Sequence, residues 1–250
     1  VSGKTLVKRD GYTIDKWMLL TEPGVSVPVR LFRPTGKTSE SPMVVYVGAD
    51  ASVAAPGGPI EQRVKAGESV ALVDPRGMGE TTPVAPGRTG YGRGPFGPDE
   101  REAFLALHLN RPLLGQRVFD LRQALRALDN PRGFHVIGVG MGGPVALHAG
   151  VLEERIKSLE LEQSVLSWTE AAQAKTTKNL LSSVIPGVLA SYDLPDLAAA
   201  FAPRPLTIRA PINAAGLPLA GEQADATLGP AAAAYQNANA RDQLQITARP

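Results

Sequence analysis

The sequence predicts an α/β protein with a mostly parallel central sheet and helices on both faces. Three observations predict it. Short, almost wholly apolar, β-branched-rich runs recur at 43–48, 69–73 and 134–139, as strands buried on both faces require. Helical stretches separate the strand candidates from residue 43 onward, which favours crossover connections between parallel strands. Two longer runs with partial alternation come first, joined by the turn signal EPG, and predict an antiparallel hairpin.

Taken in order, YTIDKWMLL (12–20) and VSVPVRLFRP (25–34) are the hairpin, and MVVYVG (43–48) the first buried strand. A Pro/Gly-rich loop and a short helix at about 60–66 lead to SVALVDPRGMGE (69–80), a strand ending in a turn. Residues 82–99 are punctuated by Pro and Gly and predict an irregular excursion. From Pro98 a helical stretch runs to about Leu128, with Asp99 and Glu100 suited to its positive end and a break before Pro112. FHVIGVG (134–140) is the next strand, GPVALHAGVLEE (143–154) its helix, and IKSLELEQ (156–163) a further strand. After a helical, loop-rich insertion come the strand PLTIRAP (205–211), the helix AAAAYQNANA (231–240) and the closing strand QLQITA (243–248). No internal repeat or linker interrupts this order, so residues 1–250 are expected to form one domain.

Composition narrows the function classes. A net charge of +2, with 26 Lys and Arg scattered against 24 Asp and Glu, predicts no nucleic-acid groove. No apolar run reaches the roughly 18–20 residues that span a bilayer, so no membrane partner is expected. The absence of cysteine excludes disulfides, thiolate catalysis and cysteine zinc sites. The three histidines, His108, His135 and His148, lack metal-ligand spacing, so neither a metal nor a cofactor is expected. The chain opens on Val1 with no signal-peptide pattern, as a mature product, a processed piece or a trimmed chain would.

The sharpest motif is GVGMGG at 138–143, between an apolar strand and an immediate helix. It has the frame of a nucleophile elbow, G-x-S-x-G, with Gly138 and Gly142 in place and Gly140 where the serine would stand. Glycine adopts the elbow's positive φ at little steric cost, so Gly140 keeps the turn and removes the oxygen. Two other readings stay open. Gly138, Gly140 and Gly143 also match the dinucleotide spacing G-x-G-x-x-G, with Glu160 and Glu162 about 20 residues on. A close-packed strand–helix turn needs the same small residues. No G-K-[ST] follows, which excludes a Walker A loop.

Together with VDPRGMGE, DEREAFLALHLNRPLLGQRVFDLRQAL and SYDLPDLAAAFAPRPLTIRAP, this motif resembles the α/β-hydrolase superfamily, most of all the acetyl xylan esterase group of bacterial carbohydrate esterases. The resemblance implies an α/β-hydrolase-like fold with a sheet of about eight strands. It also implies a serine–acid–histidine triad, and position by position that triad is vacant. The elbow supplies Gly140, and the acid position after PLTIRAP supplies Asn213, which cannot stabilise an imidazolium by charge. The histidine position should follow the last strand, yet the chain reads Ala248, Arg249, Pro250.

Substitutes are few. Glu162 stands where some carbohydrate esterases place an alternative acid, although a solvated or salt-bridged strand-end carboxylate is the better account of it. Asp50, in the region that builds the oxyanion hole, would oppose a developing oxyanion unless it points away. Ser164 and Ser167 lack elbow glycines, and Asp74 is expected to order the DPRG turn. His148, two helical turns past Gly140, is expected to pack on a neighbour, His108 to lie on an amphipathic helix and His135 to open a strand. Gly92, Gly94 and Gly97 with Arg88 and Arg93 suggest an anion loop, or an excursion packed through Tyr91 and Phe96. Trp17 and Trp168 are too few for a sugar platform, with Trp168 the aromatic to inspect first.

The resulting expectation is a catalytically degenerate, acetyl xylan esterase-like domain, a structural or accessory unit and a piece of a larger esterase. Its expected partner is another esterase domain or chain, with a glycan as a further candidate. By analogy with the family, a secreted or periplasmic location is favoured. The alternatives are an active carboxylic ester hydrolase with a non-standard or partner-completed site, and a small-ligand or nucleotide binder at the glycine turn, marked by an anion at the helix N-terminus.

Overall fold

The computed structural model describes residues 2–36, 38–83 and 94–247. Among the described residues nine strands form one sheet, in the order β1-β2-β3-β5-β4-β6-β7-β8-β9. β1 (Ser2–Arg9), β2 (Tyr12–Glu22) and β3 (Val25–Pro34) form an antiparallel meander, and β3 pairs antiparallel with β5 (Val70–Val73). From there the pairing is parallel, through β4 (Met43–Val47), β6 (Phe134–Val139), β7 (Ile156–Glu162), β8 (Leu206–Arg209) and β9 (Leu244–Thr247). The sheet is thus one strand larger than expected. β1, SGKTLVKR, escapes sequence reading because it is an edge strand with no alternating apolar face; all but Val7 are exposed.

Side-chain alternation divides the core. Met43, Val45 and Val47 of β4 face one side with α3 (Leu113–Leu128), α4 (Gly142–Leu152), α6 (Leu194–Phe201) and α8 (Gly229–Asn237). Val44 and Tyr46 face the other with α1 (Pro59–Lys65), whose Ile60 and Val64 are fully buried. The long helical stretch is two helices, α2 (Glu100–His108) and α3, broken where Pro112 was expected to break it. The insertion between β7 and β8 holds α5 (Trp168–Gln173) and α6, and α7 (Gly221–Thr227) precedes α8.

Charged residues of the long motifs hold elements together. In the VDPRG turn, Arg76 clamps Asp120 of α3 through Nε and Nη2, at 2.7 and 2.6 Å, and Asp120 also accepts from Thr21 Oγ1 at 2.7 Å. Asp74, buried, accepts from the Glu80 backbone N–H and pairs with Arg30, so it orders the turn as expected. Arg117 of α3 is buried and paired with Asp99 while donating to the Arg76 carbonyl. In SYDLPDL, Asp193 caps α6 in a reciprocal box with Asp196, and its carboxylate also accepts from the Trp168 and Thr169 N–H groups and the Ser167 hydroxyl. One carboxylate therefore joins the starts of α5 and α6.

Candidate functional site

The glycine run forms a strand–turn–helix joint at the carboxyl end of β6, where ligands bind in open parallel sheets. Gly140 has φ +53°, its N–H donates to the Glu162 carbonyl at 2.8 Å, and α4 starts two residues later. The neighbouring glycines are there for contact. A Cβ on Gly138 would lie 2.6 Å from the Gly142 carbonyl oxygen and 2.8 Å from Ala146 Cβ. One on Gly142 would run into the Val47 carbonyl, and one on Gly143 into the Ser164 hydroxyl. Close packing of α4 against β6, and against Ser164 just past β7, thus accounts for Gly138 and Gly143 without a phosphate. Gly140 is the exception: a Cβ there meets nothing within 4 Å.

What it would meet is a cleft of about 440 Å³, lined by Gly140, Met141, Gln163, Lys178 and Ile212 among others. The cleft lining contains no Ser, Asp, Glu or His among the described residues. Asn213 spends its Oδ1 on the backbone N–H groups of Ala215 and Leu217, both at 3.0 Å, closing the turn beyond β8. The chain past Thr247, where a histidine was sought, lies outside the described residues, as do Arg88, Tyr91, Gly92 and Arg93 of the suggested anion loop.

The other candidates have local duties. Asp50 caps the short turn at 51–54, accepting from Ser52 N–H at 2.7 Å. Ser164 donates to the Val165 carbonyl, and Ser167 caps α5 by accepting from Glu170 N–H. His108 reaches the Phe104 carbonyl on its own helix. His148 sits between the Pro144 carbonyl, 2.7 Å from Nδ1, and the Tyr192 hydroxyl, 3.0 Å from Nε2; burial pushes its pKa down. Trp17 is partly buried against the core, whereas Trp168 is buried and lines a separate apolar cavity with Phe96.

Glu162 faces away from the cleft lining. On the α1 side the sheet turns polar across β7 and β8, since Leu159, Leu161, Leu206 and Ile208 point to the opposite core. There His135 Nδ1 lies 2.7 Å from Ser158 Oγ and its Nε2 lies 3.7 Å from Glu160, which also pairs with Arg209. Burial alone would raise the Glu160 pKa, but the His135 and Arg209 hydrogen bonds outweigh it and hold the group at about 2. Glu162 is pushed up, first by burial and then by the charge of Glu160. Sequence reading missed this cluster. It depends on an irregularity between Phe134 and His135 that sets His135 beside Ser158 rather than Lys157.

The raised pKa has a stability consequence. Ionised Glu162 is disfavoured in the folded state, so its contribution is complete below about pH 4.5 and is lost as pH rises through its higher folded pKa. Glu162→Gln is therefore expected to stabilise the fold by about 0.5–1 kcal/mol at pH 7, partial exposure having reduced the effect, and by nothing below pH 4. Urea denaturation at the two pH values checks this; equal gains at both would refute the assignment.

Among the described residues, no group of three or more His, Asp or Glu is placed to hold a metal ion, and no helix is long and apolar enough to cross a membrane. No family model matches the chain, and no curated protein matches it. Solved structures do match. A Bacteroides fragilis protein assigned as an acetyl xylan esterase is 20% identical, with a TM-score of 0.75 over 98% of this chain and 69% of its own. The acetyl xylan esterase from Paenibacillus sp. R4 is 18% identical, with a TM-score of 0.63 over 98% of this chain and 80% of its own. Acetyl xylan esterase 1 from Thermoanaerobacterium sp. JW/SL YS485 is 14% identical, with a TM-score of 0.62 over 99% and 82%. At such identities the likeness is one of architecture, and the architecture is α/β-hydrolase-like.

Proposed function

We propose that this chain, an α/β-hydrolase-like fold similar in architecture to acetyl xylan esterases, is the non-catalytic unit of a carbohydrate esterase. Gly140 carries the reading. The elbow is intact around it, its backbone has the positive φ of an elbow residue, and the space a nucleophile would occupy is open. Ester hydrolysis at this joint needs an oxygen nucleophile, a base to take its proton and a group to orient that base. Glycine offers no oxygen, Asn213 is committed to its own turn, and among the described residues the cleft lining holds no carboxylate or imidazole, its one ionisable side chain being the cation of Lys178. The domain's role is then to pack on a catalytic esterase domain or chain and to shape, or help hold, its glycan.

Hydrolysis of p-nitrophenyl acetate and of acetylated xylan by the purified chain tests this, with Gly140→Ser alongside. The expected rate for both proteins is that of a heat-denatured control, because a serine at this turn would find neither a carboxylate nor an imidazole among the described residues of the cleft lining. Turnover by the unaltered chain would overturn the proposal and require a nucleophile elsewhere.

A further inference from the structure

We propose that Ser158, on the α1 side of the sheet, is an acyl-acceptor site: a serine nucleophile that takes one acyl group from a small activated ester, away from the cleft over Gly140. Ser158 Oγ lies 2.7 Å from His135 Nδ1, and His135 Nε2 lies 3.7 Å from Glu160 Oε2. A nucleophile, a base within hydrogen-bond reach and a third group behind the base form the arrangement that activates a serine. Ser158 and His135 are both partly exposed, the imidazole at 22%, so a reagent can reach them, whereas Glu160 is buried.

The direction of the Ser158–His135 hydrogen bond follows from Glu160. Burial opposes its charge, but contacts with His135 and Arg209 keep the carboxylate ionised at neutral pH. A negative charge facing Nε2 favours the tautomer with its proton there, which leaves the Nδ1 lone pair facing the Ser158 hydroxyl. Ser158 then donates, and His135 is placed to take its proton. In the step itself, Oγ attacks the acyl carbon and an Oγ–C bond forms. The bond from that carbon to the leaving oxygen breaks, its electron pair departs with the leaving group, and the serine proton passes to Nδ1.

The same surroundings set the substrate class. Glu160 is paired with Arg209, and His135 is held between Ser158 and Glu160, so the cluster keeps no charged group back to grip the alcohol half of a substrate. β6 and β7 are interior strands, with backbone amides committed to the ladders on both sides rather than converging on an oxyanion. Reactivity therefore depends on the leaving group: an aryl ester or a thioester qualifies, and an acetylated sugar does not. The product is an ordinary alkyl ester, far less reactive than the donor, so the acyl group stays after one transfer. This inference is independent of the reading of Gly140, which concerns steady turnover.

The test treats the protein with p-nitrophenyl acetate at neutral pH, following nitrophenolate release and, by peptide mass mapping, the site of acetylation. A burst of one equivalent is expected, with its acetyl group on Ser158, before the rate settles to that of a denatured control; acetylated xylan should leave Ser158 unmodified. Ser158→Ala should remove the burst, and His135→Gln should slow it by about a hundredfold. Glu160 is a positioning residue. Glu160→Gln should slow the burst roughly tenfold and, in nitrogen NMR of the His135 ring, replace the Nε2–H tautomer by a mixture. A burst that survives Ser158→Ala, or acetyl groups carried by lysines instead of Ser158, would reject the assignment. So would an Nδ1–H tautomer in the unaltered protein, since His135 would then donate to Ser158 and could not take its proton. Near-ultraviolet circular dichroism separates loss of the nucleophile from loss of the fold.

Discussion

Gly142→Ala is expected to destabilise the fold by about 3 kcal/mol or more, while Gly140→Ala, two residues away, costs only about 1–2 kcal/mol. The two substitutions add the same methyl group to the same turn. At Gly142 it collides with the carbonyl of Val47, a backbone atom in the middle of the sheet that cannot step aside without breaking the β4 ladder. At Gly140 it projects into the cleft and pays only for a left-handed backbone. Urea midpoints for the two variants, followed by the fluorescence of Trp17 and Trp168, measure the difference directly. Similar losses would mean that the helix does not sit as close to β4 as described, and the reading of the joint as an elbow would lose its geometric basis.

Asp120→Ala should be comparably severe. Asp120 is fully buried and receives two guanidinium bonds, the Arg76 N–H at 3.0 Å and the Thr21 hydroxyl. Removing it takes two guanidinium bonds from Arg76, whose Nη1 still holds Glu22 and Gln116, and leaves the Arg76 N–H and the Thr21 hydroxyl without that acceptor, a combined loss of about 2–4 kcal/mol. Asp120→Asn keeps an acceptor but not the charge, so it should fall between wild type and alanine. Hydrogen exchange at the Arg76 amide offers a local check: protection there should drop more than in β8. If Asp120→Ala were within about 0.5 kcal/mol of wild type, the Arg76–Asp120 clamp would not be what fastens the VDPRG turn to α3.

Much of this architecture was legible in the sequence because its strands are short, apolar and separated by helices of clear period. MVVYV, VALV and FHVIGV are each almost wholly buried, and runs of that kind have few alternatives. β1 was not legible, since a charged edge strand carries no pattern that separates it from a loop. At the candidate site, the turn at Gly140 could be read because steric demands act on consecutive residues. Asn213 could be placed only through the resemblance, and its engagement with Ala215 and Leu217 emerged from the structure. The His135–Ser158–Glu160–Arg209 cluster was hidden for a different reason. Its members come from three strands, and a one-residue change in β6–β7 register would turn the side chains of β7 to the other face.

The open space above Gly140 also makes this turn a place to attach things. The chain contains no cysteine, so Gly140→Cys would create its sole thiol, on a rigid joint and directed into the cleft. A spin label or fluorophore coupled there would report on whatever enters or covers the cleft, with no background sites to remove first. The same emptiness that argues against chemistry thus turns the position into an observation post for following assembly with a partner in solution.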